Sequence, residues 1–233
     1  MKIYRPKTAL EAVTLRRDLD AGAVYLAGGT DDLRLNGAAG DKALIDINGL
    51  VPNTVEVKDG KLVIGAMATF NDLIGSPLVP DFLKEAARFC ASFVKRNSAT
   101  VGGNLALRRD DGYLAAALMA AEASLHCITP HGDKEMSVCE YLTSDCRCLI
   151  ETVSLDADRT GWVKRFGNTS SSHATLIAAE SKGVYALTVH GGGFACGRSP
   201  EIAKELTYAD DLTGGAAYKK YLAETVFTLG GAK

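Results

Sequence analysis

The period of apolar and polar positions changes several times along the chain. Lys2-Ile3-Tyr4-Arg5 reads as a short strand, and Pro6 ends it. Residues 8–20 take a helical period, with Leu10, Val13, Leu15 and Leu19 as the stripe that would be buried. Thr8, three residues before Glu11, has the form of a capping box. Strand-like runs follow at 24–27, 43–47, 54–57 and 62–64; Asp59-Gly60 between the last two predicts a tight primed hairpin turn. Residues 68–73 begin a helix that Pro77 and Pro80 interrupt, and 81–93 resume helical spacing through Phe82, Leu83, Ala86, Phe89 and Cys90. A further helix is expected over 113–123, its stripe formed by Leu114, Ala117, Leu118 and Ala121. Residues 124–129 alternate as a strand, turn through 130–133 and return over 134–138; 149–155 make another strand. A polar, turn-forming stretch at 156–161 marks a boundary. Beyond it lie Trp162-Val163-Lys164-Arg165-Phe166, a polar run at 167–173, an apolar run at 174–179, a strand-like stretch at 184–189, a short helix at 200–206 and a last helix at 218–228.

Two glycine pairs interrupt this pattern. Ala27-Gly28-Gly29-Thr30-Asp31-Asp32 follows a strand, and Thr100-Val101-Gly102-Gly103-Asn104 follows Arg96-Asn97. Glycine lets backbone N–H groups turn toward an anion and lets a phosphate approach without meeting a Cβ. It also serves ordinary turns, so each pair alone fits either reading. Two pairs together suggest one diphosphate held from two sides. A third cluster, His190-Gly191-Gly192-Gly193, reads as a loop or bulge. Arg108 and Arg109 are expected as a solvated pair, and His126, Cys127 and His131 as unrelated strand and turn residues.

Composition narrows the class. With 47% hydrophobic and 23% charged residues the chain reads as an ordinary soluble protein, and no apolar run reaches the roughly 20 residues of a membrane helix. The N-terminus lacks a signal peptide's apolar core, which points to the cytoplasm. A net charge of −2 gives no reason to expect nucleic acid. The six cysteines are expected as free thiols, without a metal. No G-x-G-x-x-G, phosphate loop, H-E-x-x-H or G-x-S-x-G is present, and no partner is evident for His173 or His190.

The two glycine motifs in this order resemble the FAD-binding subunit or domain of the molybdenum hydroxylases, the family of xanthine dehydrogenase, aerobic carbon monoxide dehydrogenase and hydroxybenzoyl-CoA reductase. Leu62-Val63-Ile64-Gly65-Ala66, Arg96-Asn97, Tyr141-Leu142 and the closing Asp211-Leu212-Thr213-Gly214-Gly215 extend the resemblance over nearly the whole chain. It implies an α+β fold: a two-part FAD-binding domain of the PCMH type at 1–157, then a small C-terminal α+β domain at 158–233. It implies FAD as cofactor, held by Tyr25, Leu26, Ala27, Gly28, Gly29, Thr30, Asp31 and Asp32 from the first motif. From the second come Thr100, Gly102, Gly103 and Asn104. Leu149 and Lys164 match two further contacts, with the Lys164 charge offered to the flavin. Partners carrying iron–sulfur clusters and molybdopterin would exchange electrons with this flavin, and NAD or another acceptor would receive them.

The chain departs from the family pattern at several places. The family aspartate nine residues after the motif's asparagine is Tyr113 here, with Asp110 and Asp111 upstream; Asp111 is the expected substitute. Cys90 stands where an aromatic residue is usual, and Asn168-Thr169-Ser170-Ser171-Ser172 replaces an arginine-rich turn. The C-terminal domain is short. These features resemble short variants of the family and allow two other readings: a scaffold that keeps the fold without electron transfer, and a stand-alone flavin oxidoreductase.

Overall fold

The computed structural model describes residues 2–31 and 42–230. Strands β1 (Ile3–Tyr4), β2 (Ala23–Leu26) and β3 (Ala43–Asp46) pair in parallel in the order β1-β3-β2. Helix α1 (Ala9–Leu19) connects β1 to β2, the two parallel strands that flank β3. Thr8 caps it, its hydroxyl accepting from Glu11 N at 3.1 Å. Glu11 reaches back to Lys7 N at 2.7 Å, one residue before the donor of a true capping box. The buried face of α1 is also narrower than its period suggests: Ala12 and Val13 are buried, whereas Leu10 is 59% exposed.

The next five strands form an antiparallel sheet in the order β4-β5-β8-β6-β7. They are β4 (Val55–Lys58), β5 (Lys61–Gly65), β6 (Ser124–Thr129), β7 (Gly132–Ser137) and β8 (Leu149–Asp156). Asp59 and Gly60 both have positive φ, 51° and 76°, the primed turn that the dipeptide favours.

Between β5 and β6 lie α2 (Phe70–Gly75), α3 (Asp81–Arg88), α4 (Phe93–Arg96), α5 (Val101–Ala106) and α6 (Ala115–Ala120). The start of α2 carries a full capping box, Thr69 with Asp72. All six residues of α6 are buried, so this helix has no solvent face opposite its expected stripe. It lies against α3 and the C-terminal sheet, as a helix apolar on every side must.

After α7 (Val138–Thr143) and β8, the strands β9 (Trp162–Phe166), β10 (Leu176–Ser181), β11 (Val184–Val189) and β12 (Gly193–Gly197) pair antiparallel in chain order. Ile177 and Ala179 of β10 face the main core, while Leu176 and Ala178 face a second cluster under α8 (Ala216–Gly230) with Ala223 and Val226. Covering on both faces explains why β10 reads as an unbroken apolar run rather than an alternating one. The main core therefore continues past residue 157 into this sheet.

Folding also joins Cys139 of α7 to Cys196 of β12 in a disulfide, so the expectation of free thiols fails for these two. They lie 57 positions apart, a pairing that spacing could not show. Cys90, Cys127, Cys146 and Cys148 are free. No described helix is long and apolar enough to cross a membrane.

Candidate functional site

The two glycine pairs meet. Beyond β2, Gly28 packs on the carbonyl of Ser98 so closely that a Cβ at 28 would lie 1.6 Å from that oxygen. Gly29 has φ +65°, a left-handed conformation that glycine adopts without penalty. Among the described residues no acceptor takes the amides of Gly28, Gly29 and Thr30.

The second pair is built differently from an open anion loop. Thr100 is the N-cap of α5, its hydroxyl accepting from Gly103 N at 3.1 Å. Val101 N and Gly102 N donate to Ala68 O and Ala66 O at 2.9 and 2.8 Å, and Asn104 N donates to Thr100 O. The glycines permit this approach: a Cβ on Gly102 would stand 2.7 Å from that of Ala66. Asn104 Oδ1 accepts from Leu114 N at 3.1 Å, tying α5 to the start of α6.

Between these segments lies a cavity of about 590 Å³, inside the roughly 300–1,000 Å³ of cofactor sites. Tyr25, Ala27, Gly28, Gly29, Thr30, Asp31, Thr100, Gly102, Gly103, Asn104, Asp111 and Leu149 all line it. Asp32 lies outside the described residues. Leu26 is not among the residues that line the cavity. Lys164 does not line it either, because β9 alternates. Trp162, over whose ring the Lys164 ammonium sits at 5.6 Å, packs with the cluster under α8. Its neighbour Arg165 is on the cavity side, donating to the carbonyls of Thr169 and Ser172 in the turn whose Ser171 and Ser172 form part of the wall.

Arg108 and Arg109 are not a solvated pair. Arg108 donates to the carbonyls of Ser144 and Cys146 and lies 4.3 Å over the Tyr141 ring. Arg109 grips Asp111 with two N–H groups, both at 2.7 Å. Asp111 is 7% exposed and also accepts from His173 Nδ1. Burial alone would push its carboxyl up; the Arg109 guanidinium and His173 outweigh that and hold it below the usual range. Asp110 turns away and accepts from Gly191 N at 2.8 Å, so the amide of the third glycine cluster meets an internal carboxylate. Tyr113 lines the cavity, edge-on to Phe70 at 6.1 Å.

Both histidines that lacked a partner in sequence have one here. His173 pairs with Asp111, 62 positions away, and His190 Nδ1 with Asp211 at 2.9 Å. Asp211 in turn accepts from Lys219, whose side chain is fully buried and also donates to His190 O. His126 Nδ1 sits 2.8 Å from Glu151 Oε2, apart from this group. The tyrosines and free cysteines of the wall are pushed toward their protonated forms. Burial pushes the Tyr141 hydroxyl up to about 12 and raises Tyr25, Tyr113, Cys90 and Cys146. The Cys127 contact, then burial, raises Cys148. The Tyr25 hydroxyl is buried with no hydrogen-bond partner among the described residues.

The family model described as "FAD binding domain in molybdopterin dehydrogenase" matches residues 1–155. Uncharacterized protein YgfM of Escherichia coli K12 is 28% identical over 95% of this chain and 91% of its own. The carbon monoxide dehydrogenase medium chain of Hydrogenophaga pseudoflava is 32% identical over 68% of this chain and 60% of its own. Among solved structures, a carbon monoxide dehydrogenase chain from the same organism superposes with a TM-score of 0.81 at 25% identity, covering 97% of this chain and 93% of that one. A quinoline 2-oxidoreductase chain from Pseudomonas putida 86 shares the fold, with a TM-score of 0.80 over 97% of this chain and 93% of its own at 17% identity.

Proposed function

Because the chain belongs to the family of FAD-binding domains of molybdopterin dehydrogenases, we propose that it is the flavin-carrying electron-transfer subunit of a multi-subunit molybdenum hydroxylase in the cytoplasm. FAD is the cofactor of this family, and the residues present fit it. The observation that carries this reading is the cavity where the two glycine segments meet. It offers the amides of Gly28, Gly29 and Thr30 and the Tyr25 hydroxyl, none of which has a partner among the described residues.

The amides at 28–30 would hold the diphosphate, where positively polarised N–H groups substitute for water. Gly102 and Gly103, with Thr100, would form the opposite wall. Their amides are already taken, so they admit the diphosphate by lacking side chains rather than by donating to it. Asn104 and Asp111 would shape the pocket from behind, and Leu149 would supply apolar contact. Lys164 is left out of this set. Bound FAD supplies the redox chemistry, while the chain binds, orients and tunes it. Partner chains with iron–sulfur clusters and molybdopterin would exchange electrons with this subunit, and NAD or another acceptor would complete the route. The division into a 1–157 FAD domain and a shorter 158–233 domain belongs to the same proposal.

The test is a titration of the purified chain with FAD, followed by its absorption spectrum and then by anaerobic NADH. Yellow, noncovalent flavin that acid releases is expected. A chain that ignores FAD refutes the reading. The scaffold reading is favoured by one observation: the amides at 101–104 and the Asp111 carboxylate are already engaged within the protein. Bound flavin that neither NADH nor dithionite reduces would establish it.

A further inference from the structure

We propose that His173 is the proton carrier of the cavity: it meets the flavin ring of bound FAD and hands it the proton taken up on reduction, with Asp111 and Arg109 as positioning residues. The inference rests on the functional reading above.

The geometry is that of an oriented base. Asp111 is buried and held by two N–H bonds from Arg109, so its carboxylate has a fixed direction. Its Oδ2 meets His173 Nδ1. An ionised carboxylate only accepts, so Nδ1 carries the proton there. Arg109 Nη2 also lies 3.1 Å from Nδ1 and has a second N–H, but an unprotonated Nδ1 would set its lone pair against the carboxylate oxygen at the shorter contact. Nε2 is then the ring nitrogen that gains or loses a proton. The arrangement matches the base-and-orienter logic of acid–base catalysis.

His173 is the one histidine among the described residues that line the cavity. The tyrosines and cysteines of the wall are pushed toward the protonated form. Asp111 is held ionised. Imidazole is the side chain whose chemistry suits proton exchange near neutral pH. The side chain is 55% exposed at the mouth, beside exposed Ser171, so solvent can recharge it.

Other charged groups surround it. The His190 ring lies 6.0 Å away and carries the Asp211 and Lys219 cluster behind it. Asp110 sits on Gly191 N, Arg165 holds the neighbouring Ser172 carbonyl, and Asp31 and Asp145 line the same cavity. Cationic Arg16, Lys95, Arg108 and Arg147 complete the wall.

In the step itself two electrons come from a reductant, a partner's iron–sulfur donor or dithionite in a test. The Nε2–H bond of the imidazolium would break as its proton passes to the FAD taking up the two electrons, and neutral imidazole would remain on Asp111 until a solvent proton replaces it. Oxidation runs this in reverse.

The experiment measures dissociation constants of oxidised and dithionite-reduced FAD from pH 5.5 to 8.5 for the full chain and for H173Q, with ADP as a control ligand. The wild-type preference for reduced FAD is expected to vary with pH. In H173Q it should fall about tenfold or more and vary less with pH, while ADP binds as before. In H173A, added imidazole should restore the pH dependence. An H173Q preference identical to wild type at every pH overturns the inference, and so does an equal loss for FAD and ADP, which would put His173 at the nucleotide half. A wild-type chain that binds no FAD at any pH overturns the function, and this inference with it.

Discussion

Replacing Gly28 by alanine tests the contact on which the cavity depends. The backbone of Gly28 needs no left-handed φ, so the effect is purely one of space. An added Cβ would fall 1.6 Å from Ser98 O and 2.6 Å from its carbon. To restore the ordinary limit of 3.0 Å the loop must withdraw by about 1.4 Å. The obstacle is backbone, which cannot rotate aside. Overpacking of this kind costs about 1–3 kcal/mol, against a whole-domain stability of about 5–15 kcal/mol. Withdrawal also carries the amides at 28–30 away from Thr100. Losing one charge-assisted hydrogen bond to a phosphate removes about 1.5–3 kcal/mol, or about 10–100-fold in FAD affinity. Gly22 is the internal control: nothing lies within 4 Å of its Cβ position, so G22A should be neutral or gain about 0.4–1 kcal/mol. Urea unfolding followed by circular dichroism, and FAD fluorescence titration, read the two quantities separately. G28A with wild-type urea midpoint and FAD affinity would refute the abutting loops. G28A that is destabilised yet binds FAD normally would remove these loops from the FAD site.

Three further outcomes follow from the same geometry. The Asp111 and Asp211 carboxyls sit below their usual range; burial opposes this, but Arg109 with His173, and Lys219 with Thr213 and His190, prevail. A depressed carboxyl adds stability above its unfolded value of about 3.9 and loses it as pH falls through the folded one. The urea midpoint should therefore decline steeply below about pH 4, and D111N should be weaker at pH 7 with a shallower acid decline. K219M removes a fully buried ammonium from partly exposed Asp211 and should cost about 3 kcal/mol in denaturant unfolding; an unchanged midpoint would show the pair to be idle. K164A should leave FAD affinity within about twofold, and a larger loss in the titration would return Lys164 to the site.

Features legible in the sequence were those set by neighbours along the chain. Asp59-Gly60 specifies its own turn, and alternation over Ser124–Thr129 marks a strand with one buried face. The two glycine pairs were recognisable as places of close approach, and their order carried the family. Local pattern failed where the partner is distant. The helix at Val101–Ala106 looks like a break because of its glycines, yet Thr100 and the carbonyls of Ala66 and Ala68 satisfy its first amides. The all-round burial of Ala115–Ala120 depends on a sheet more than 50 residues later.

The sequence by itself determined the turns and helix caps, because these are short-range steric facts, and its two glycine motifs carried the family resemblance. The placement of Arg165 rather than Lys164 toward the cavity depends on which face β9 turns to the core, and a one-residue step in a strand reverses it. The Asp111–His173 pair and the Cys139–Cys196 bond span 62 and 57 positions. No periodicity reaches that far; those contacts exist because the C-terminal sheet folds back over α6 and α7, where burial of apolar surface, not local preference, brings the charges and thiols together.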